Sequence, residues 1–208
     1  EQSRWKQSFW KNIMLNEKIL NSFQNKNHKK VGRYNSSDLY NIIKGDINVD
    51  NYFDDNEIDM RGVKNILRGV ALENELRNIL EKVGYKLKWN DDGGQMKYEL
   101  KVEDFVIVVC PDFHILNGKE MGHKIDEFCL ETKCPNNIKD NIPPWYHYQL
   151  ECQYQVLKIP IYLTQVNIFD NDWPLLCPLL YKNSPIRWKN LCEKLSQFNK
   201  ELKNKYER

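Results

Sequence analysis

The sequence predicts an α/β fold in which a central mixed β-sheet is flanked by helices. Two segments, residues 105–110 and 127–134, are rich in β-branched and apolar side chains, which is typical of strands. Two others, residues 68–80 and 145–157, carry apolar residues at helical spacing. A chain of 208 residues with 41% hydrophobic side chains can bury one substantial core, so we expect a single domain over residues 1–208.

Both ends of the chain are predicted to be helical. Residues 3–24 place aromatic and aliphatic side chains among lysines, which indicates an amphipathic helix within an N-terminal helical extension over residues 1–32. Its aromatic face is expected to pack on the core, with DNA stacking or a subunit interface as alternatives. Residues 185–206 are also amphipathic, with a basic outer face, and predict a C-terminal helix.

The helix predicted over residues 68–80 carries a carboxylate near its start. Apolar residues at 72, 76, 79 and 80 define its buried face, and Gly69 lies close to its first turn. Glu73 could therefore project from an early helical turn toward the sheet.

The two predicted strands carry charged residues in a pattern that indicates chemistry. A Cys-Pro-Asp motif ends the first strand at Asp112, and a polar segment leads from there into the second. If these strands are adjacent, Asp112 and Glu131 come together. Side chains alternate along a strand, so Glu131 and Lys133 share one face, whereas Thr132 points to the other and leaves its backbone carbonyl free to act as a neutral oxygen ligand.

Asp112, Glu131 and the Thr132 carbonyl form a set of hard oxygen donors. This set suits Mg²⁺ or Mn²⁺, and it suits zinc poorly because no His or Cys falls at zinc spacing. A divalent ion activates water and neutralises charge on a phosphate, and the ammonium of Lys133 can orient that water or stabilise the transition state. The motif thus predicts a metal-dependent phosphodiesterase, and an ordinary solvated strand face is the alternative.

The helix predicted over residues 145–157 follows a Pro-Pro pair that ends the preceding loop. Gln149 and Gln153 stand at i and i+4 and share one face of this helix. Their amides can hydrogen-bond phosphate oxygens or a ligating carboxylate without adding charge. His114, two residues beyond Asp112, could touch a phosphate, although a histidine beside a core strand is more often structural.

In chain order, these motifs resemble the PD-(D/E)XK nuclease superfamily. The shared order is Arg-Gly-x-x-x-Glu, then Pro-Asp, then Glu-x-Lys-Cys-Pro, then a Gln-bearing helix preceded by aromatic residues. Within the superfamily, the sequence is most similar to lambda-type exonucleases and YqaJ-type viral recombinases, which are RecB-like nucleases. The resemblance covers residues 33–167 and implies a restriction-endonuclease-like core there. The chain departs from the family in a longer polar insert after Asp112 and in Gln149-Leu150-Glu151, where many relatives carry Gln-x-Gln.

The resemblance implies a role for each motif residue. Asp112, Glu131 and the carbonyl of Thr132 correspond to the metal ligands, and Glu73 is a further ligand or a neighbouring carboxylate. Lys133 corresponds to the catalytic lysine, which acts together with Asp112 and Glu131. The implied cofactor is Mg²⁺, with Mn²⁺ as a substitute.

A second set of residues is expected to contact nucleic acid. Gln149 corresponds to the glutamine of the family's helix, and Ser37 lies in a Ser-bearing segment similar to the one that precedes the Arg-Gly helix. Arg61, Arg68 and Lys124 are candidates for phosphate contacts, which position a strand without reading its sequence.

The resemblance favours a 5′–3′ exonuclease that acts on duplex DNA ends in recombination or repair. A structure-specific or single-strand endonuclease of the same superfamily is the alternative, and a non-catalytic nucleic-acid-binding module or toxin-neutralising partner is a third interpretation. RNA stays open as a substrate because nothing in the sequence reports on a 2′-hydroxyl. A homo-oligomer, for instance a ring, or a single-strand annealing protein are the expected protein partners.

Composition limits how the chain can bind nucleic acid. The formal net charge is only +2, so a DNA-binding surface must be a local basic groove offset by acidic segments elsewhere. One such acidic segment spans residues 46–59, where Asn residues, together with Gly45 just before the segment, break any regular spacing, and we expect a solvated loop.

The six cysteines form no Cys-x-x-Cys pair, so we expect small buried hydrophobic residues in a reducing compartment. The RecB-like relatives that hold an iron–sulfur cluster usually carry one cysteine before the catalytic core and three near the C-terminus; here none precedes Cys110 and only two lie late, so we expect no cluster. No signal-like segment opens the chain and no apolar run is long enough to span a bilayer. We therefore expect an intracellular protein of the cytoplasm, nucleus or a viral factory, with no membrane partner. Abundant Asn, Lys and Ile suggest an AT-rich genome such as that of a virus or parasite.

Overall fold

The structure is a computed structural model of the chain, and it describes residues 29–54, 60–91, 93–116, 127–135, 137–166 and 178–207. The helix predicted over residues 3–24 and the candidate Lys124 lie outside the described residues, as does the side chain of Arg61.

The described elements combine strands and helices: a strand and two helices are followed by five consecutive strands, a helix, two strands and a final helix. The strands are β1 (Arg33–Asn35), β2 (Lys86–Lys88), β3 (Tyr98–Val102), β4 (Phe105–Val109), β5 (Phe113–Leu116), β6 (Phe128–Lys133), β7 (Ile161–Gln165) and β8 (Leu179–Leu180). The helices are α1 (Leu39–Lys44), α2 (Met60–Lys82), α3 (His147–Leu157) and α4 (Pro185–Tyr206), with short 3₁₀ turns at Ser36–Asp38 and Pro144–Tyr146.

The strands form a three-stranded sheet in the order β1-β4-β3 and a five-stranded sheet in the order β2-β5-β6-β7-β8. Both sheets are mixed. In the larger one, β6 pairs in parallel with β7 and antiparallel with β5, and in the smaller one β4 pairs in parallel with β1 and antiparallel with β3. The predicted fold class, a mixed sheet flanked by helices, is confirmed.

The expectation that the two predicted strands are adjacent is wrong. The segment predicted as 105–110 forms β4 in the three-stranded sheet, whereas the segment predicted as 127–134 forms β6 in the other. A separate strand, β5, pairs with β6 and aligns Phe113 with Leu130. Proline cannot donate a ladder hydrogen bond, so Pro111 marks the place where the chain leaves one sheet for the other. Asp112 therefore stands at the entrance to β5, and it meets β6 from there.

Helix α2 covers one face of the larger sheet. Its side chains at 72, 76 and 80, spaced by one helical turn, are buried against apolar residues of β5 and β6. The helix begins at Met60, before the range predicted from its periodicity, 68–80. This packing turns Glu73, next to Leu72, toward the end of the sheet where Asp112 lies.

Helices α3 and α4 pack with the smaller sheet to form a second core. Leu191, Leu195 and Leu202 of α4 are fully buried together with Ile107 of β4 and Cys152 of α3. The C-terminal helix covers the range predicted from its amphipathic pattern. Its first turn is capped because the Ser184 hydroxyl accepts a hydrogen bond from a backbone N–H, and a proline follows at the first helical position.

Candidate active site

Strand β6 carries the centre of the candidate site. Glu131 is only 1% exposed, and its Oε1 accepts a 2.5 Å hydrogen bond from Nζ of Lys133, two residues along the same strand. Asp112 approaches from the entrance to β5, where its Oδ2 accepts hydrogen bonds of 2.7 Å from both the backbone N–H and the hydroxyl of Thr132. The structure thus brings Asp112, Glu131, Thr132 and Lys133 together.

The backbone of Thr132 faces Asp112. The carbonyl of Lys133 accepts a hydrogen bond from Val166 N–H, beyond the end of β7, so the backbone of Lys133 points toward β7. Successive residues of a strand direct their N–H and C=O groups to opposite neighbours, so those of Thr132 point toward the β5 side. The carbonyl oxygen of Thr132 therefore lies on the side from which Asp112 approaches, which is compatible with a role as a neutral oxygen ligand.

A glutamine that the sequence did not single out links Asp112 to Glu73. Nε2 of Gln95 lies 3.2 Å from Oε2 of Glu73 and 3.4 Å from Oδ1 of Asp112. Glu73 thus belongs to the site, since one amide nitrogen contacts both its carboxyl group and that of Asp112. Sequence reasoning missed Gln95 because this residue lies in a turn between β2 and β3 and carries no motif.

Two glutamines of α3 hold Glu131 from the other side. Gln149 Nε2 donates to Oε1 of Glu131 and Gln153 Nε2 donates to Oε2, each at 2.6 Å. Gln153 is fully buried, and its own Oε1 has no hydrogen-bond partner among the residues that the structure describes. The i, i+4 spacing predicted that these amides share a face. Their partner is the carboxylate of Glu131, and a contact between Gln149 and nucleic acid stays a prediction.

The site holds more carboxyl groups than ammonium groups. Burial and the nearby charge of Glu131 raise the pKa of Asp112 well above its ordinary value, against the opposing effect of Lys133. Burial and Glu131 likewise raise the pKa of Glu73. Burial alone would lower the pKa of Lys133, but the charges of Glu131 and Asp112 outweigh it and raise that pKa, so the ammonium stays charged at neutral pH. One ammonium therefore faces three carboxyl groups.

This excess of carboxyl groups fits a hard divalent cation. Among the described residues, no group of three or more His, Cys, Asp or Glu side chains is assembled closely enough to hold a metal ion by itself. The donors that do converge are Asp112, Glu131 and the backbone of Thr132, all of them oxygen ligands. Mg²⁺ retains several waters and is commonly bound through one or two carboxylates, so it does not require a complete protein cage.

Ser37 and Arg68 are the remaining nucleic-acid candidates whose side chains the structure describes. Ser37 is exposed in the 3₁₀ turn before α1, and Arg68 is half-buried on α2. Arg61 has no described side chain, and Lys124 lies outside the described residues. Contacts of all four with nucleic acid stay predictions.

His114 has a structural setting. It is 3% exposed, its Nε2 donates to Oε1 of Glu127 at 2.5 Å, and its Nδ1 accepts from the hydroxyl of Tyr98. Both ring nitrogens are thus engaged by protein groups, so the ring has no nitrogen left for a phosphate in this conformation.

Other features of the described residues agree with ordinary surface and core roles. Asp50, in the acidic segment, is exposed and pairs with Lys205 at 2.8 Å, as in a solvated loop. Cys129 and Cys152 are buried free thiols, whereas Cys110 is exposed. Within the described part of the chain, no helix has the length and apolar character needed to cross a membrane.

Comparison with known proteins supports the fold. No protein-family model and no curated protein sequence matches the chain. Among solved structures, it is similar to the protein SSO0001, with a TM-score of 0.59 and 14% identity over 89% of this chain and 83% of that one. It is also similar to LHK-Exo in complex with dAMP, with a TM-score of 0.56 and 18% identity over 85% and 91% of the two chains.

A second structure of LHK-Exo, an alkaline exonuclease from Laribacter hongkongensis, superimposes with a TM-score of 0.53 and 15% identity over 91% of this chain and 95% of that one. The TM-scores establish a shared architecture, whereas identities this low leave the activity to be argued from the site. The chain thus has the fold of the PD-(D/E)XK nucleases, the superfamily that its motifs resemble.

Proposed function

We propose that the protein is a metal-dependent deoxyribonuclease that hydrolyses phosphodiester bonds. The observation that carries this proposal is the buried Glu131, which accepts hydrogen bonds from Lys133, Gln149 and Gln153 and faces a second carboxylate, Asp112. Burying two like charges side by side is costly, and a site that binds a cation and a phosphate gives a physical reason for the arrangement.

The proposed roles follow from the contacts. Asp112, Glu131 and the Thr132 carbonyl would hold Mg²⁺ or Mn²⁺, and such an ion supplies an activated water and neutralises charge on the phosphate. Lys133 keeps its charge beside Glu131, where its ammonium can donate to the attacking water or to a phosphate oxygen.

Gln149 and Gln153 fix the orientation of Glu131. Each oxygen of this carboxylate accepts from one of the two amides, so Glu131 is held in one rotamer before substrate arrives. Preorganised ligands of this kind avoid a reorganisation cost during the reaction. Both amides are neutral, so they hold the carboxylate without cancelling the charge that a cation would need.

Within this class, we favour a 5′–3′ exonuclease that acts on duplex DNA ends. The support is the similarity of the fold to LHK-Exo, which is named an alkaline exonuclease and has been seen in complex with dAMP. Action in recombination or repair, a viral setting, assembly into a homo-oligomer and cooperation with a single-strand annealing protein belong to the same proposal. They rest on the resemblance to lambda-type exonucleases and YqaJ-type recombinases.

Digestion of three forms of one DNA tests the proposal. Linear, nicked and closed circular duplexes are incubated with and without Mg²⁺ or Mn²⁺, beside an RNA of matched sequence, and products are sized. The expected result is metal-dependent release of mononucleotides from linear DNA, with closed circles left intact. Cleavage of closed circles would select the endonuclease. Degradation of RNA alone would identify RNA, and not DNA, as the substrate. Intact nucleic acid under every condition would overturn the proposal, and Asp112→Asn purified in parallel controls for contaminating nuclease.

A further inference from the structure

Gln95 lies between two carboxyl groups of the candidate site. Its Nε2 is the shared donor to Glu73, at 3.2 Å, and to Asp112, at 3.4 Å. We propose that Gln95 is a further ligand-bearing residue of the metal site, whose amide turns to present Oε1 to a cation held between Glu73 and Asp112. This inference deepens the proposed function and rests on its metal dependence.

The backbone around Gln95 is anchored, so the side chain alone must change. Nδ2 of Asn90 donates to the backbone carbonyl of Gln95. The N–H of Asn90 donates to the carbonyl of Gly94 at 3.0 Å, and the N–H of Gly93 donates to the carbonyl of Asn90 at 2.8 Å. Gly93 has φ +76°, the left-handed conformation that lets the chain reverse here. These contacts keep Gln95 beside the carboxylates and oppose its withdrawal.

The Gln95 amide can present either its NH₂ group or its oxygen to the space between Glu73 and Asp112. Without a cation, its two N–H groups compensate the facing carboxylates, each taking one hydrogen bond. With a cation in that position, the same N–H groups would face positive charge. The terminal torsion of glutamine is broad and roughly two-fold, so half a turn exchanges NH₂ for oxygen with little change elsewhere. Amide carbonyl oxygens are accepted ligands of hard divalent ions.

The competing interpretation makes the opposite prediction. If Gln95 only blocks the position, a cation has to displace its amide, and removing the amide would tighten metal binding. If Gln95 supplies an oxygen ligand, removing the amide weakens binding. The sign of the change in metal affinity therefore decides between the two roles.

The test is calorimetric titration of metal-free protein with Mn²⁺ in the absence of DNA. Gln95→Met keeps the length of the side chain and removes its oxygen, and we expect a Kd for Mn²⁺ weaker by about tenfold or more. Gln95→Glu supplies an oxygen and a charge, and we expect a Kd equal to or tighter than that of the natural protein. Gln197→Met is the matched control, since Gln197 is exposed on α4 and donates to Glu201 at 3.0 Å. Its Kd should not change.

The outcomes separate this inference from the proposed function. Equal or tighter Mn²⁺ binding by Gln95→Met, in a natural protein that binds Mn²⁺ and degrades DNA, would overturn the role of Gln95 alone. Failure of the natural protein to bind Mn²⁺ and to degrade DNA would overturn both. Thermal unfolding of the metal-free variants checks their folding. Binding of Mn²⁺ by Gln95→Glu at least as tight as that of the natural protein cannot result from a damaged fold, so it shows that the site tolerates a substitution that keeps an oxygen at position 95.

Discussion

Two buried glutamates, Glu131 and Glu151, show how differently the same side chain is used on the two sides of helix α3. Glu131 is 1% exposed and Glu151 is fully buried, and each accepts several hydrogen bonds. Glu131 lies beside the carboxyl of Asp112, whose pKa is raised well above its ordinary value. Glu151 lies among neutral donors and one arginine. Both glutamates are buried, so burial does not distinguish them. What distinguishes the candidate active site from the structural contact is the second carboxyl group beside Glu131.

The contacts of Glu151 tie three elements together. Its Oε2 accepts from the hydroxyl of Tyr181 at 2.5 Å and from the backbone N–H of Ser184 at 2.9 Å, and Arg187 Nη1 lies 3.7 Å away. Gln155 donates to Oε1 at 2.9 Å. These partners join α3 to the segment after β8 and to the start of α4, so Glu151 holds the C-terminal helix in place.

Helix geometry explains why Glu151 takes no part in the candidate site. Residues 149 and 153 are one turn apart and face β6, whereas residue 151 points to the opposite side of α3. In this chain, Gln153 supplies the second amide to the candidate site. The departure in the motif therefore leaves both oxygens of Glu131 with a glutamine partner.

The largest expected effect is on catalysis at the site around Glu131. Asp112→Asn removes a metal-type ligand, and Lys133→Ala removes the only ammonium in contact with Glu131 among the described residues. We expect each to lower the rate of DNA hydrolysis by roughly 10²- to 10³-fold. The rate is measured on linear duplex DNA at saturating Mg²⁺. Rates like that of the natural protein in both variants would refute the site assignment.

The second-largest expected effect is on the stability of the protein, and it concerns Glu151. Glu151→Gln removes the charge that Arg187 faces, and we expect the free energy of unfolding to fall by about 3 kcal/mol. The cleavage rate per folded molecule should stay close to that of the natural protein. Urea unfolding and the same DNA assay measure the two quantities. If the folded variant lost most of its activity, Glu151 would have to be counted as part of the active site.

A smaller effect distinguishes the two glutamines that serve the two glutamates. Gln153→Leu frees Oε2 of Glu131, and we expect the cleavage rate to fall by about tenfold because the carboxylate loses its fixed orientation. Gln155→Leu is the matched control on the same helix, and it removes a hydrogen bond to Glu151. We expect it to cost about 1 kcal/mol of stability and to leave the rate unchanged. Equal rates for both variants would mean that orientation of Glu131 does not limit cleavage.

The smallest effect is a pH dependence of stability in the metal-free protein. Burial and Glu131 raise the folded-state pKa values of Asp112 and Glu73, so the folded protein binds protons more tightly than the unfolded chain. Their contribution to stability is fully present below the ordinary carboxyl pKa and is lost as pH rises through the folded-state values. We therefore expect Asp112→Asn to gain stability relative to the natural protein as pH rises from acid to neutral.

Urea unfolding at a series of pH values in the presence of a chelator measures this difference. Lys133, Glu131 and Glu73 are present in both proteins, so the comparison isolates the charge of Asp112. A difference in stability that does not change with pH would contradict the raised pKa. Added Mg²⁺ should reduce the difference by stabilising the natural protein.

Local pattern predicted the candidate site better than it predicted the sheets. The alternation of side chains along one strand placed Glu131 and Lys133 together, and helical spacing placed Gln149 with Gln153, because both relations act over a few residues. The adjacency of the predicted strands was wrong, since strand pairing depends on contacts distant in sequence. Gln95 was missed for the same reason, because only the folded turn before β3 brings its amide to Asp112.

The sequence by itself determined the residue types that can perform the chemistry and their local spacing. Two carboxylates, a lysine two residues from one of them and a pair of amides one helical turn apart are properties of short segments. Tertiary structure decided which of these groups meet. It placed Asp112 beside a second carboxyl group, that of Glu131, and Glu151 beside an arginine. It placed the N–H of Thr132 and the amide of Gln95 on Asp112, and it placed Arg187 and Tyr181 on Glu151. Those contacts join segments far apart in the chain, and the packing of helices on sheets brings them together.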